Sequence, residues 1–109
     1  MALMLIALHR RPDLGREAFA AYWLETHAPL VRELASTLGI TGYVQIHPHA
    51  DATLWDGLAQ VRFESRGALE RALTTAPGRA AARRLRADER NFVDLDRSVT
   101  WWGSERLLL

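Results

Sequence analysis

From Ala2 to His9 the chain is apolar on both parities, with Leu3, Leu5 and Ala7 alternating with Met4, Ile6 and Leu8. A strand of this kind buries both faces, so it belongs inside a sheet with a neighbour on either side. Every later element has to be arranged around it. Arg11-Pro12-Asp13-Leu14-Gly15 reads as a turn, and from Arg16 the apolar period becomes helical. Phe19, Trp23 and His27 fall on one helix face at four-residue spacing. Pro29 is expected to break or kink that helix near Thr26 to Ala28. Leu30, Val31, Leu34 and Leu38 resume the period, and Gly39 ends it.

A second strand is expected from Ile40 to His49, closed by Pro48 and a polar turn around Asp51, and a third from Gly57 to Glu64. Ser65-Arg66-Gly67 opens a helix through Leu69, Ala72 and Leu73. The Thr74 to Gly78 stretch interrupts it, and a second helical piece follows to about Asn91. Phe92 to Gly103, rich in Val, Thr and Trp, reads as the last strand. The order β-α-β-β-α-β predicts an α+β, ferredoxin-like fold over residues 1–109, one domain with both helices on one face of a four-stranded antiparallel sheet. A chain of 109 residues is long enough to bury one core without metal or disulfide staples.

Composition removes several chemistries. Lys is absent, which excludes lysine Schiff bases and Walker-type phosphate loops. Cys is absent, which excludes thiolate catalysis, Cys-ligated zinc and iron–sulfur clusters. A formal net charge of +1 implies no overall attraction to nucleic acid or anionic membrane. The apolar start is too short to span a bilayer, and its charges follow it, unlike a signal peptide. A soluble cytoplasmic protein is the expectation.

Alternation along the strands assigns their faces. Val44 and Ile46 share one side of the second strand; Tyr43, Gln45 and His47 share the other. In the third strand Ala59, Val61 and Phe63 oppose Leu58, Gln60, Arg62 and Glu64. Packing the apolar sides beneath the helices would leave Tyr43, Gln45, His47, Gln60 and Arg62 together on an open, mixed face. That face is either solvated or, because strands one and four add Leu3, Leu5, Val99 and Trp101 to it, covered by a second copy of the sheet. Trp101 and Trp102 must point to opposite faces.

The stretch Phe19-Ala-Ala-Tyr-Trp-Leu-Glu-Thr-His27-Ala-Pro-Leu, followed by Gly42-Tyr43-Val-Gln-Ile-His47, resembles the EthD family of dimeric α/β-barrel proteins. Asp56-Gly57-Leu-Ala-Gln-Val-Arg-Phe63 and Asn91-Phe-Val-Asp94 fit that family too. The resemblance implies a homodimer whose sheets face each other, with a pocket between sheet and first helix in each subunit. It does not imply one reaction. Relatives include cofactor-free decarboxylases, cyclases and oxygenases of aromatic polyketides, lactone isomerases, and proteins tied to ether breakdown. More distant barrels of this shape bind haem.

His27 is the leading candidate catalytic residue, because imidazole titrates at about pH 6.5 and can act as base and then acid. Its structural alternative is to cap the broken helix by bonding a freed carbonyl. Tyr43 could steady an oxyanion as a donor. Phe19 and Trp23 would stack on a small hydrophobic or aromatic ligand, while Gln45, His47, Gln60 and Arg62 would orient it. His47 and His49 could share a metal only with help from Asp51, so no metal and no cofactor is expected. Arg79, Arg83, Arg86 and Arg90, interleaved with Asp88 and Glu89, read as solvated helix surface. Two functions remain open. One is a cofactor-independent enzyme moving a proton on an aromatic or lactone-like substrate, by isomerisation, cyclisation or decarboxylation. The other is a small-ligand carrier without turnover, or an EthD-type oxidoreductase or catabolic accessory protein, with haem chemistry a more distant option.

Overall fold

A computed structural model describes residues 1–50 and 54–109, so the turn around Asp51 lies outside the described residues. The strands are β1 (Ala2–Leu8), β2 (Ile40–Ile46), β3 (Gly57–Phe63) and β4 (Val99–Gly103). The helices are α1 (Arg16–Tyr22), α2 (Ala28–Leu38), α3 (Arg66–Ala72) and α4 (Ala76–Glu89). The sheet order is β2-β3-β1-β4, with every neighbouring pair antiparallel. β1 is interior, as its two apolar parities require. This is the ferredoxin-like α+β fold.

The register defines a helix face and an outer face. Met4 pairs with Val61 and Trp102, and Ile6 with Ala59 and Thr100. Ala59, Val61 and Phe63 are buried beneath the helices. Phe63 meets Trp102 at 5.4 Å between ring centroids, and the Arg66 guanidinium lies over the same indole. Trp101 takes the outer face beside Leu5, so the two tryptophans part as expected.

β2 departs from simple alternation. Ile40 pairs with Phe63, but the next pair is Gly42 with Arg62, so Thr41 is an extra residue bulged out of the ladder. One inserted residue inverts every later side chain. Tyr43, Gln45 and His47 therefore turn to the helix face, while Val44 and Ile46 stand outside, 44% and 43% exposed. The expected grouping of Tyr43, Gln45 and His47 with Gln60 and Arg62 is thus corrected: the two sets lie on opposite faces. Gly42 suits the bulge because a Cβ there would stand 3.0 Å from Arg62 Cδ.

Two boundaries also move. The helix holding Phe19, Trp23 and His27 does not break at Pro29. Trp23–His27 widens into a π turn, in which the Ala28 N–H donates to the Trp23 carbonyl, and α2 continues from it. Widening relieves the clash that the Pro29 ring would make with the carbonyl four residues back. The last strand begins at Val99 rather than Phe92, because Phe92 and Val93 are drawn into the core. Arg11 N–H donates to the Phe92 carbonyl and Asp94 N–H to the His9 carbonyl, which fastens that segment beside the end of β1.

Trp23, 1% exposed, packs against the start of β3. A Cβ on Gly57 would stand 2.5 Å from Trp23 Cζ3. Gly57→Ala is therefore expected to destabilise the fold by about 1–3 kcal/mol through forced repacking of the indole. Urea unfolding measures it, and an unchanged midpoint would contradict this packing.

Candidate functional site

The helix face of the sheet and α2 and α4 enclose a cavity of about 280 Å³. Met4, Ile6, Val61 and Phe63 form its floor, and Val31, Leu38, Ala82 and Leu85 its helical wall. Against this apolar lining stand His27, Tyr43, Arg86, Glu89 and Ser98. A mainly apolar pocket with a few convergent polar groups has the make-up of a small-molecule site.

His27 is 6% exposed and closes the π turn. Its Nδ1 lies 2.8 Å from Asp88 Oδ2, and its ring meets Phe92 at 5.0 Å. His27 makes no capping bond, so the helix-cap alternative gives way to a pairing with a carboxylate. With the Nδ1 proton directed at Asp88, the lone pair of the neutral ring resides on Nε2. A carboxylate behind one imidazole nitrogen fixes tautomer and orientation and stabilises the imidazolium that forms when the other takes a proton.

Asp88 is itself tightly held. The Tyr22 hydroxyl donates to Oδ1 at 2.6 Å, and Asn91 Nδ2 donates to the same oxygen at 3.4 Å and to the Tyr22 oxygen at 3.0 Å. Burial alone would push the Asp88 carboxyl up. The hydrogen bonds from Tyr22 and His27, the charge of His27 and the Asn91 amide outweigh burial and hold it below the usual carboxylate range. Burial, and then the Asp88 carboxylate, raise Tyr22 and keep it a donor.

Tyr43 belongs to a second chain of bonds. Gln45 Nε2 donates to the Tyr43 oxygen and to the Trp23 carbonyl, both at 2.9 Å. Gln45 Oε1 lies 2.8 Å from His47 Nε2, which must therefore be the protonated, donating nitrogen. His47 stacks on Trp23 at 4.5 Å. Because Tyr43 uses its oxygen as an acceptor here, its own proton remains free to be donated. Burial raises the phenol above its ordinary value, against the hydrogen bonds from Gln45 and Trp23, so it stays protonated.

Of the residues expected at the site, His27, Tyr43 and Trp23 line the cavity, while Gln45 and His47 brace Tyr43 from behind. Phe19 stands behind Trp23 and Phe92 in the core, at 5.8 and 5.5 Å between centroids, rather than on the cavity. Gln60 and Arg62 are on the outer face, and Arg62 is engaged by Glu105 through two bonds of 2.8 and 2.9 Å. Among the described residues no group of three His, Cys, Asp or Glu could hold a metal ion, and no helix is long and apolar enough to cross a membrane.

Asp88 and Glu89 are the residues that sequence reasoning missed. Both continue the inward stripe of α4 set by Gly78, Ala81, Ala82 and Leu85, at three- and four-residue spacing. That stripe was the available signal. Burial pushes the Glu89 carboxyl up, against the attraction of Arg86 and His27.

The EthD domain family matches residues 11–96. No protein of curated function matches the chain. Among solved structures, an ethyl tert-butyl ether D (EthD) family protein from Bacillus halodurans C-125 is 22% identical, with a TM-score of 0.67 over 97% of this chain and 100% of that one. A dimeric protein of unknown function with a ferredoxin-like fold, from Bacteroides fragilis, is 10% identical, with a TM-score of 0.65 over 95% of each chain. A dimeric ferredoxin-like protein of unknown function from Thermobifida fusca YX is 9% identical, with a TM-score of 0.63 over 95% and 90%. At these identities the structures speak for the fold. The family match runs from the turn before α1 to the loop before β4 and takes in the π turn, β2, β3 and Asp88, and so this chain belongs to the EthD family.

Proposed function

We propose that this chain is a cofactor-independent enzyme that moves a proton on a small apolar carbonyl compound, aromatic, polyketide-like or lactone-like, bound between sheet and helices. The observation that carries this reading is the 2.8 Å His27–Asp88 pair in the wall of an apolar cavity. His27 Nε2 takes a proton from carbon next to the substrate carbonyl. The C–H electron pair moves onto the carbonyl oxygen, where the Tyr43 hydroxyl meets the developing charge. The imidazolium, steadied by Asp88, then returns its proton at the same or another carbon. Such a cycle serves isomerisation or cyclisation and needs no redox partner.

The working form we propose is a homodimer joined across the outer sheet face. Val44, Ile46, Val99 and Trp101 stand 43–47% exposed there, and Leu107 to Leu109 are uncovered as well. The β2 bulge makes this face more apolar than simple alternation predicts, which favours cover by a second sheet over solvation. The dimeric descriptions of the Bacteroides and Thermobifida proteins support the same reading. Light scattering at micromolar protein should give twice the mass of the chain, and Trp101→Glu should shift it toward the monomer. A wild-type monomer would contradict the dimer.

Deuterium uptake at the α carbon of 1-tetralone in D2O, followed by NMR, tests the proton transfer. The wild type should accelerate exchange, and His27→Asn should slow it by about 10²-fold or more with 1-tetralone affinity little changed. Asp88→Asn should also slow exchange, because it loses the charge that steadies the imidazolium. A carrier would bind the ketone and leave exchange at the buffer rate.

Asp88 further predicts an acid limb of stability. Its folded carboxyl ionises below the unfolded one, so its stabilisation is complete above the ordinary carboxylate range and is lost as pH falls through the folded value. Glu89, raised by burial, acts oppositely and loses stability as pH rises through that range. Thermal melts from pH 7 down to pH 2 should therefore show a shallower acid limb in Asp88→Asn and a steeper one in Glu89→Gln; unchanged limbs would contradict these environments.

A further inference from the structure

Glu89 takes no part in the proton transfer above, yet it faces the same cavity from α4. Its side chain is 27% exposed, and its ion-pair partner among the described residues, Arg86 Nη1, stands 3.7 Å from Oε1, beyond hydrogen-bond length. Among the described residues no hydrogen bond reaches its carboxyl oxygens. The neighbouring Asp88, by contrast, receives bonds from Tyr22, His27 and Asn91. A half-buried acid at the C-terminal end of a helix is poorly placed electrostatically, since the helix dipole is negative there. With about a quarter of the side chain open, water reaches these acceptors in the free protein, and a ligand that fills the cavity without a donor would strip that water and leave them unmet. They are met when a ligand brings a donor.

We propose that Glu89 is the specificity-determining acceptor of this cavity, and that the ligand carries a hydroxyl, phenolic or enolic, which donates to it. This deepens the proposed function and rests on the cavity being its site. Tyr43 offers a donor for a carbonyl oxygen, and Glu89 offers an acceptor for a hydroxyl. The pair selects apolar hydroxy-carbonyl compounds over plain ketones and over ethers. Arg86, exposed at the rim, offsets the carboxylate charge without occupying its oxygens.

Calorimetric titration of 1-naphthol and 1-methoxynaphthalene, which differ in the hydroxyl proton, tests the assignment. The wild type should bind the naphthol at least tenfold more tightly, the discrimination expected of a hydrogen bond to a carboxylate. Glu89→Leu should bring the two affinities together, chiefly by weakening the naphthol, while Glu89→Gln, which keeps an acceptor oxygen, should preserve part of the preference. Equal binding of both probes to the wild type, or a preference surviving in Glu89→Leu, would overturn the role of Glu89 and leave the cavity a ligand site. Failure of either probe to bind, together with no exchange of 1-tetralone, would instead overturn the cavity reading and this inference with it.

Discussion

The single extra residue at Thr41 decides what each side of the sheet is for. Past it, the polar half of β2 is driven beneath the helices, where burial makes each hydroxyl, amide and imidazole answerable for its hydrogen bonds. The demand is met in sequence: His47 donates to Gln45, and Gln45 donates to both Tyr43 and the Trp23 carbonyl. Breaking any link would strand the next group, so the chain behaves as one unit and fixes the phenol. The same inversion delivers Val44 and Ile46 to the outside. Interior chemistry and exterior stickiness thus share one origin.

The π turn is the counterpart of the bulge on the helical layer. Its opened ladder gives the Trp23 carbonyl two donors, the Ala28 N–H and the Gln45 amide, so helix and sheet are stitched at the cavity's edge. It also ends on His27, beside the last turn of α4. Asp88 there opposes both the helix dipole and desolvation, and three surrounding donors offset those costs. The result is one carboxylate held ionised behind an imidazole, which fixes the ring's tautomer and places a counter-charge beside it.

Elements governed by periodicity were legible in the sequence. The two-sided apolar run gave an interior β1, the Phe19-Trp23-His27 spacing gave one buried helix face, and β3 kept its alternation. Elements governed by one-residue irregularities were not. Thr41-Gly42 carries no pattern separating a bulge from a plain strand, and Pro29 signals trouble in the ladder without saying whether it breaks or widens. Asp88 and Glu89 were hidden differently: among the arginines of α4 they look like solvated charge, although their stripe continues Ala81, Ala82 and Leu85. His27 and Tyr43, singled out by chemistry and by family resemblance, both line the cavity, and the carboxylate paired with His27 emerged only when α4 was laid against the π turn.

Bulge and π turn are each one residue longer than the regular element that contains them. The sheet order and the regular elements β1, β3 and most of α4 contain none of that surplus, although Trp23 brings the π turn into the core. A single-codon deletion at either place would reset which side chains face inward while leaving the architecture its usual partners. A scaffold built this way separates heritable shape from heritable chemistry. The frame can be passed on intact while the contents of the cavity, and the texture of the surface opposite, are exchanged together in one step.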